Sequence, residues 1–183
     1  MIFTGVSFST WCLIIGVLNL GLGLVMLAGG KRVAEAARLF PRSAIAGAVL
    51  SALAFLWAAA IVYEAPLDFI ARFKLPITIL LIVSIPVSWF WMTDLLAIRA
   101  LGGLLVLLPA PVLVVTRFLD SGWRLVLVVL MYVYAIAGMD FVMAPYHGRD
   151  AIAWATAKPA RFAAVGAVFA VVGLVVALLP SLM

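Results

Sequence analysis

Residues 161–179 read RFAAVGAVFAVVGLVVALL. After Arg161 the stretch holds no charged or amide side chain. At about 1.5 Å per residue, a helix of this length covers roughly 29 Å, close to the thickness of a bilayer's hydrocarbon core. Backbone inside hydrocarbon must satisfy its own N–H and C=O groups, so such a stretch reads as a membrane-spanning helix. Along it Ala163, Gly166, Ala170, Gly173 and Ala177 recur at alternating intervals of three and four. That spacing sets a stripe of small side chains down one face, the kind of surface that lets helices approach closely in lipid.

The rest of the chain follows the same pattern. Of its 183 residues, 68% are hydrophobic and 10% charged, and the mean hydropathy is +1.34. A soluble domain is nearer half apolar and a quarter charged. The charges cluster between apolar runs, which predicts six spans at 10–28, 43–63, 76–92, 95–116, 123–143 and 161–179. The expected fold is all-α: a polytopic integral membrane protein, a bundle of six transmembrane helices arranged as three helical hairpins. It forms a single transmembrane domain over 1–183, with short interfacial amphipathic helices in its loops. Pro86 lies inside the third span, and only the Thr93-Asp94 region separates it from the fourth. Pro109 and Pro111, near the end of the fourth span, read as a helix terminator rather than as a break that opens a cavity.

Basic residues set the orientation. The loops after spans one, three and five hold eight of them: Lys31, Arg32, Arg38, Arg42, Arg99, Arg149, Lys158 and Arg161. The loops after spans two and four hold four, namely Arg72, Lys74, Arg117 and Arg124. Positive loops stay cytoplasmic, so both termini are expected outside. Residues 1–10 carry no Lys or Arg, and the first basic pair follows the apolar run. A cleavable signal peptide has the reverse order, so the first segment is expected to be a retained span. Arg outnumbers Lys nine to three, Asn occurs once and Gln is absent. That bias fits a GC-rich bacterial gene, and hence a bacterial cytoplasmic (inner) membrane.

Two loops on the expected cytoplasmic side are alike. Residues 30–42 read GKRVAEAARLFPR and 148–161 read GRDAIAWATAKPAR, and each is followed by a glycine five residues later. The likeness suggests parallel hairpin repeats at 10–63 and 123–179, with a central hairpin at 76–116. In the first loop Val33, Ala36, Ala37 and Phe40 share one helical face, while Arg32, Glu35 and Arg38 share the other. Such a helix lies in the membrane interface. The outer loop after span two has a similar pattern, with Leu67, Phe69, Ile70 and Phe73 on one side and an Asp68–Arg72 pair four residues apart.

Further small-residue seams are Ser43, Gly47 and Ser51, spaced every four, and Gly16 with Gly23. They pack helices either within this chain or against a partner's helix. The polar residues inside or beside spans are costly there, so each needs a reason. Asn19, Asp94, Arg99 and Asp140 form the candidate polar network. Arg99, one turn into span four, is within reach of Asp94 or Asp140, and a structural salt bridge is preferred to an ion or proton relay. Asn19 is expected to hydrogen-bond between helices. Tyr146, His147, Arg149 and Asp150 form the densest polar loop cluster. Asp150 reads as the N-cap of the following helix and Arg149 as a headgroup contact. Trp11 and Trp123 suit the outer aromatic belt, Trp89 and Trp91 the inner one.

These residues point to no catalytic constellation. Phosphate-binding glycine loops, nucleophile elbows and zinc-protease motifs are missing from the sequence. One Cys (Cys12) and one His (His147) exclude an internal disulfide and a bis-histidine haem, and argue against a zinc site. No metal and no cofactor are expected. The net charge of +5 sits at span ends and not on an exposed basic domain, which argues against nucleic acid. The expected partners are the lipid bilayer and other transmembrane subunits. The favoured function is a non-catalytic membrane subunit that scaffolds or stabilises a larger complex through its small-residue seams. One alternative is a small transporter or channel using the polar residues between hairpins. A second is a membrane-embedded enzyme acting on lipid or quinone-like substrates.

Overall fold

A computed structural model of the chain describes residues 6–64, 73–91 and 94–182, except the side chain of Glu64. These residues are helical nearly throughout, and six spans are long and apolar enough to cross a membrane. The α-helices, in chain order, are α1 (Phe8–Leu39), α2 (Ala44–Glu64), α3 (Lys74–Trp91), α4 (Leu96–Leu107), α5 (Pro109–Thr116), α6 (Arg124–Met143), α7 (Pro145–Thr156) and α8 (Pro159–Leu178). Short 3-10 turns at Phe40–Arg42 and Leu179–Ser181 follow α1 and α8. The fourth span is α4 and α5 together, and α7 is the loop helix between the fifth and sixth spans. The outer-loop face of Leu67, Phe69 and Ile70, and the Asp68–Arg72 pair, lie outside the described residues.

α1 is 32 residues long. At about 1.5 Å per residue it would run roughly 48 Å, well beyond the hydrocarbon core. Gly30 divides it, with φ +52° and ψ −133°, a conformation that glycine alone adopts without strain. Residues 8–29 cover roughly 33 Å and make the span, while residues 31–39 continue past the kink at the boundary. The first interfacial helix is thus a continuation of span one, whereas its counterpart α7 is a separate helix opened by Pro145.

The Pro109 break interrupts its span without ending it, which corrects the terminator reading. Leu108 keeps helical angles (φ −58°, ψ −41°), and α5 runs on to Thr116. Neither Pro109 nor Pro111 carries an N–H, so the Leu105 and Leu107 carbonyls lose their usual i+4 partners while the segment stays helical.

Packing is built on close backbone contacts. The most extensive helix contact joins α1 to α8. A Cβ on Gly16 would lie 2.7 Å from the backbone N of Ala177, and one on Gly23 would lie 2.6 Å from the Gly166 carbonyl. Gly173 sits in turn against Gly16 and Leu20. A second glycine crossing joins α4 to α6, where Cβ atoms on Gly102 and Gly138 would each lie 2.7 Å from the other's carbonyl oxygen. α2 lies on α4 through Gly47 beside Leu96 and Ala97, and α3 lies on α2, where Trp89 Nε1 donates to Ser51 Oγ at 3.0 Å. Extensive packing therefore joins span one to six, two to three and four, and four to five. Spans consecutive through the loops after spans one, three and five share little of it.

A cluster of Trp11, Cys12, Ile15, Val112, Leu127, Met131, Val176 and Leu179 knits α1, α5, α6 and α8 together at the end opposite α7. Trp11 is 5% exposed and belongs to this cluster, not to an aromatic belt, because α1 begins at Phe8 and turns that indole inward. The outer surfaces are apolar, as lipid contact requires: Ile45, Val49, Leu53, Phe90, Val129 and Val171 are all exposed.

Candidate functional site

The lone amide of the chain lies inside the bundle. Asn19 comes eleven residues after Phe8 at the start of α1, and Tyr134 ten residues after Arg124 at the start of α6. Spans one and five run in the same direction, so both side chains sit near mid-membrane depth. Asn19 is 7% exposed and donates through Nδ2 to the Ile15 carbonyl at 2.8 Å. Tyr134 Oη donates to Asn19 Oδ1 at 2.5 Å. Each polar side-chain atom of this pair thus has a partner, which hydrocarbon demands. Ser51, Ser84, Ser88 and Thr116 turn back on their own helices, donating to carbonyls three or four residues earlier, whereas the Thr78 hydroxyl and the Trp11 indole N–H are buried without a partner among the described residues.

At the α7 end the candidate residues separate. Asp140, in the last turn of α6, receives a hydrogen bond from His147 Nδ1 at 2.8 Å, with both side chains about half exposed. The Tyr146 ring meets the His147 ring edge-on at 4.4 Å between centroids. Arg99 pairs with neither Asp94 nor Asp140 among the described residues, and its Nε is buried without a partner. Asp94 is exposed. None of Asn19, Asp94, Arg99 and Asp140 hydrogen-bonds to another among the described residues. Asp150 is not an N-cap: α7 begins five residues earlier at Pro145, so Asp150 lies within the helix and pairs with Arg149 at 2.9 Å. Gly148 lets α7 sit on Ile98 at the head of α4, where a Cβ would lie 2.6 Å from Ile98 Cγ2.

A cleft of about 490 Å³ opens at the same end, between α1, the end of α7 and the start of α8. Its origin lies in the α1–α8 seam. Gly166 holds the helices together against Met26 and Gly23, but one turn further Ala163 is exposed and lines the cleft. α1 kinks at Gly30 there, and the seam opens. The inner walls include Met26, Leu27, Phe162 and Ala163, while Lys31, Glu35 and Arg38 follow the kink. Arg38 is held in place by Thr156, donating through Nε to Oγ1 at 2.9 Å and through Nη2 to the carbonyl at 2.5 Å. The Arg161 guanidinium stacks on the Trp154 ring at 4.9 Å.

The seams are internal. Gly166, Ala170, Gly173 and Ala177 meet α1; Gly47 meets α4; Ser51 meets Trp89; Ser43 caps α2 by accepting from Ala46 N at 3.2 Å. Sequence reasoning missed Tyr134, the Gly102–Gly138 crossing and the Arg38–Thr156 clamp. The first was findable, since a lone amide needs a partner at matching depth on a parallel span. The others had no periodic signal. Among the described residues, no three His, Cys, Asp or Glu side chains are grouped to hold a metal ion. No protein-family model matches the chain, and neither a curated protein nor a solved structure is significantly similar to it.

Proposed function

We propose that the chain is a non-catalytic integral membrane component that scaffolds or stabilises a larger membrane assembly. The observation that carries this reading is the self-closure of the Asn19–Tyr134 pair at mid-membrane depth. Asn19 Oδ1 accepts from Tyr134, Asn19 Nδ2 donates to its own helix, and the hydroxyls of Ser51, Ser84, Ser88 and Thr116 return to theirs. Groups that carry a solute or proton through a membrane must instead offer unpaired donors and acceptors to water or cargo. The interlocked α1–α8 and α4–α6 crossings also favour a rigid body over one that rocks between two states.

Because the glycine seams are used within the chain, a partner docks elsewhere. α3 has its extensive packing against α2 alone, and Ser88 is its only buried residue among those described. Most of its surface is left to lipid or to another helix. We further infer a bacterial cytoplasmic membrane with both termini outside, supported by the two-to-one basic bias between loop sets. A terminal reporter active only outside the cytoplasm tests that orientation.

The functional test is gentle purification of the tagged chain from its native membrane, followed by mass spectrometry. Stoichiometric membrane partners are expected. A clean monomer or homo-oligomer overturns the reading, and flux assays on Asp140→Asn and Asn19→Ala then take its place.

A further inference from the structure

We propose that the cleft between α1, α7 and α8 is a binding site for an anionic phospholipid whose headgroup carries hydroxyls, as phosphatidylglycerol does. The argument begins with the division of its walls at Gly30. Met26 and Leu27 precede the kink, within the span, and with Phe162 and Ala163 they offer apolar surface to acyl chain. Lys31, Glu35 and Arg38 follow the kink, at the boundary where headgroups lie. An amphiphile entering from the bilayer meets both halves in the order its own structure requires. The volume of about 490 Å³ falls within the range of small-ligand sites and holds a headgroup with the first part of its chains.

Charge selects among lipids. Lys31 and Arg38 against Glu35 leave one net positive charge in the cleft. A phosphodiester of charge −1 complements that excess, and a zwitterionic headgroup does not. Arg38 spends Nε and one Nη2 proton on Thr156, so three N–H donors remain, on a guanidinium already held in place. Such a group binds phosphate without the entropic cost of ordering a free side chain. Lys31 supplies a second, mobile charge, and Glu35 accepts from headgroup hydroxyls.

The test uses the full chain in mild detergent and reads lipid adducts by native mass spectrometry during titration. The arms are phosphatidylglycerol, phosphatidylcholine and soluble glycerol 1-phosphate. Phosphatidylglycerol is expected to bind in preference to phosphatidylcholine, with glycerol 1-phosphate binding far more weakly than either. Lys31→Ala should lower phosphatidylglycerol affinity about fivefold, the contribution of one basic residue at a membrane surface. Arg32→Ala removes the same charge from an exposed neighbour outside the cleft and should leave the preference standing. Ala34→Trp fills the cleft without changing charge, and should abolish the preference, so it decides the matter if Lys31→Ala fails to fold. Equal losses in Lys31→Ala and Arg32→Ala overturn the site, because they report general attraction alone. Glycerol 1-phosphate binding as tightly as the lipid overturns the lipid assignment in favour of a free phosphate ester. Phosphatidylcholine binding as tightly as phosphatidylglycerol overturns the charge argument.

Discussion

Replacing Gly23 by alanine tests the backbone contact on which the fold rests. A Cβ at that position would lie 2.6 Å from the Gly166 carbonyl oxygen and 2.8 Å from Ala170 Cα. Both are backbone atoms inside a helix, so neither can swing aside. The Ala170 backbone N lies closer still, and ordinary contact needs about 3.5 Å, so α1 and α8 must part by about 0.9 Å or more at this point. Parting also loosens Gly16 against Ala177 and Gly173 against Leu20, since a gap of 0.5–1 Å forfeits about a quarter to a half of each dispersion well. Alanine gains about 0.5–1 kcal/mol in helix propensity over glycine, which partly masks the loss. Gly21 removes that ambiguity. It lies on the same helix with nothing within 4 Å of a Cβ, so Gly21→Ala keeps the propensity gain alone. The difference between the two variants then isolates the overpacking cost, about 1–3 kcal/mol. The assay is reversible unfolding of the purified protein in mixed micelles, followed by helix content. Gly23→Ala as stable as Gly21→Ala would refute the contact.

Other outcomes follow from the same structure. Gly102→Ala should destabilise by a similar 1–3 kcal/mol, and Gly103→Ala, whose Cβ meets only Ala54 Cβ at 3.7 Å, should not; unfolding of both checks the second crossing. Gly30→Ala forces an L residue to φ +52° in otherwise open space, so about 1–3 kcal/mol is lost to backbone strain alone. A double-mutant cycle of Asn19→Leu and Tyr134→Phe should give a coupling of about 0.6–1.7 kcal/mol, and zero coupling would mean the two side chains do not meet. Asp140→Asn, in a pair about half exposed, should cost no more than about 0.5 kcal/mol in the same assay. A larger loss would place that carboxylate in a buried network.

What was legible in the sequence was what the bilayer dictates locally. Backbone satisfaction and core thickness make each span a property of its own composition, so six spans were readable segment by segment. The stripe from Ala163 to Ala177 likewise announced a close helix contact, because small side chains at that spacing have little other use in lipid. The partner of that contact was not legible. Apolar outer faces suit lipid and helix alike, so hydropathy gives no reason for α8 to choose α1 over α2 or over another chain. Only the tertiary structure decides it, by matching Gly16 and Gly23 to Gly166, Gly173 and Ala177 in one register. The polar residues follow the same division. That Asn19 needs a partner follows from the cost of an amide in hydrocarbon. That Asp140 faces His147 while Arg99 stays apart depends on where α7 begins and how Gly148 seats it on Ile98. The cleft depends on both levels: the sequence supplies Gly30 and the charges beside it, and the divergence of two packed helices turns them into a site.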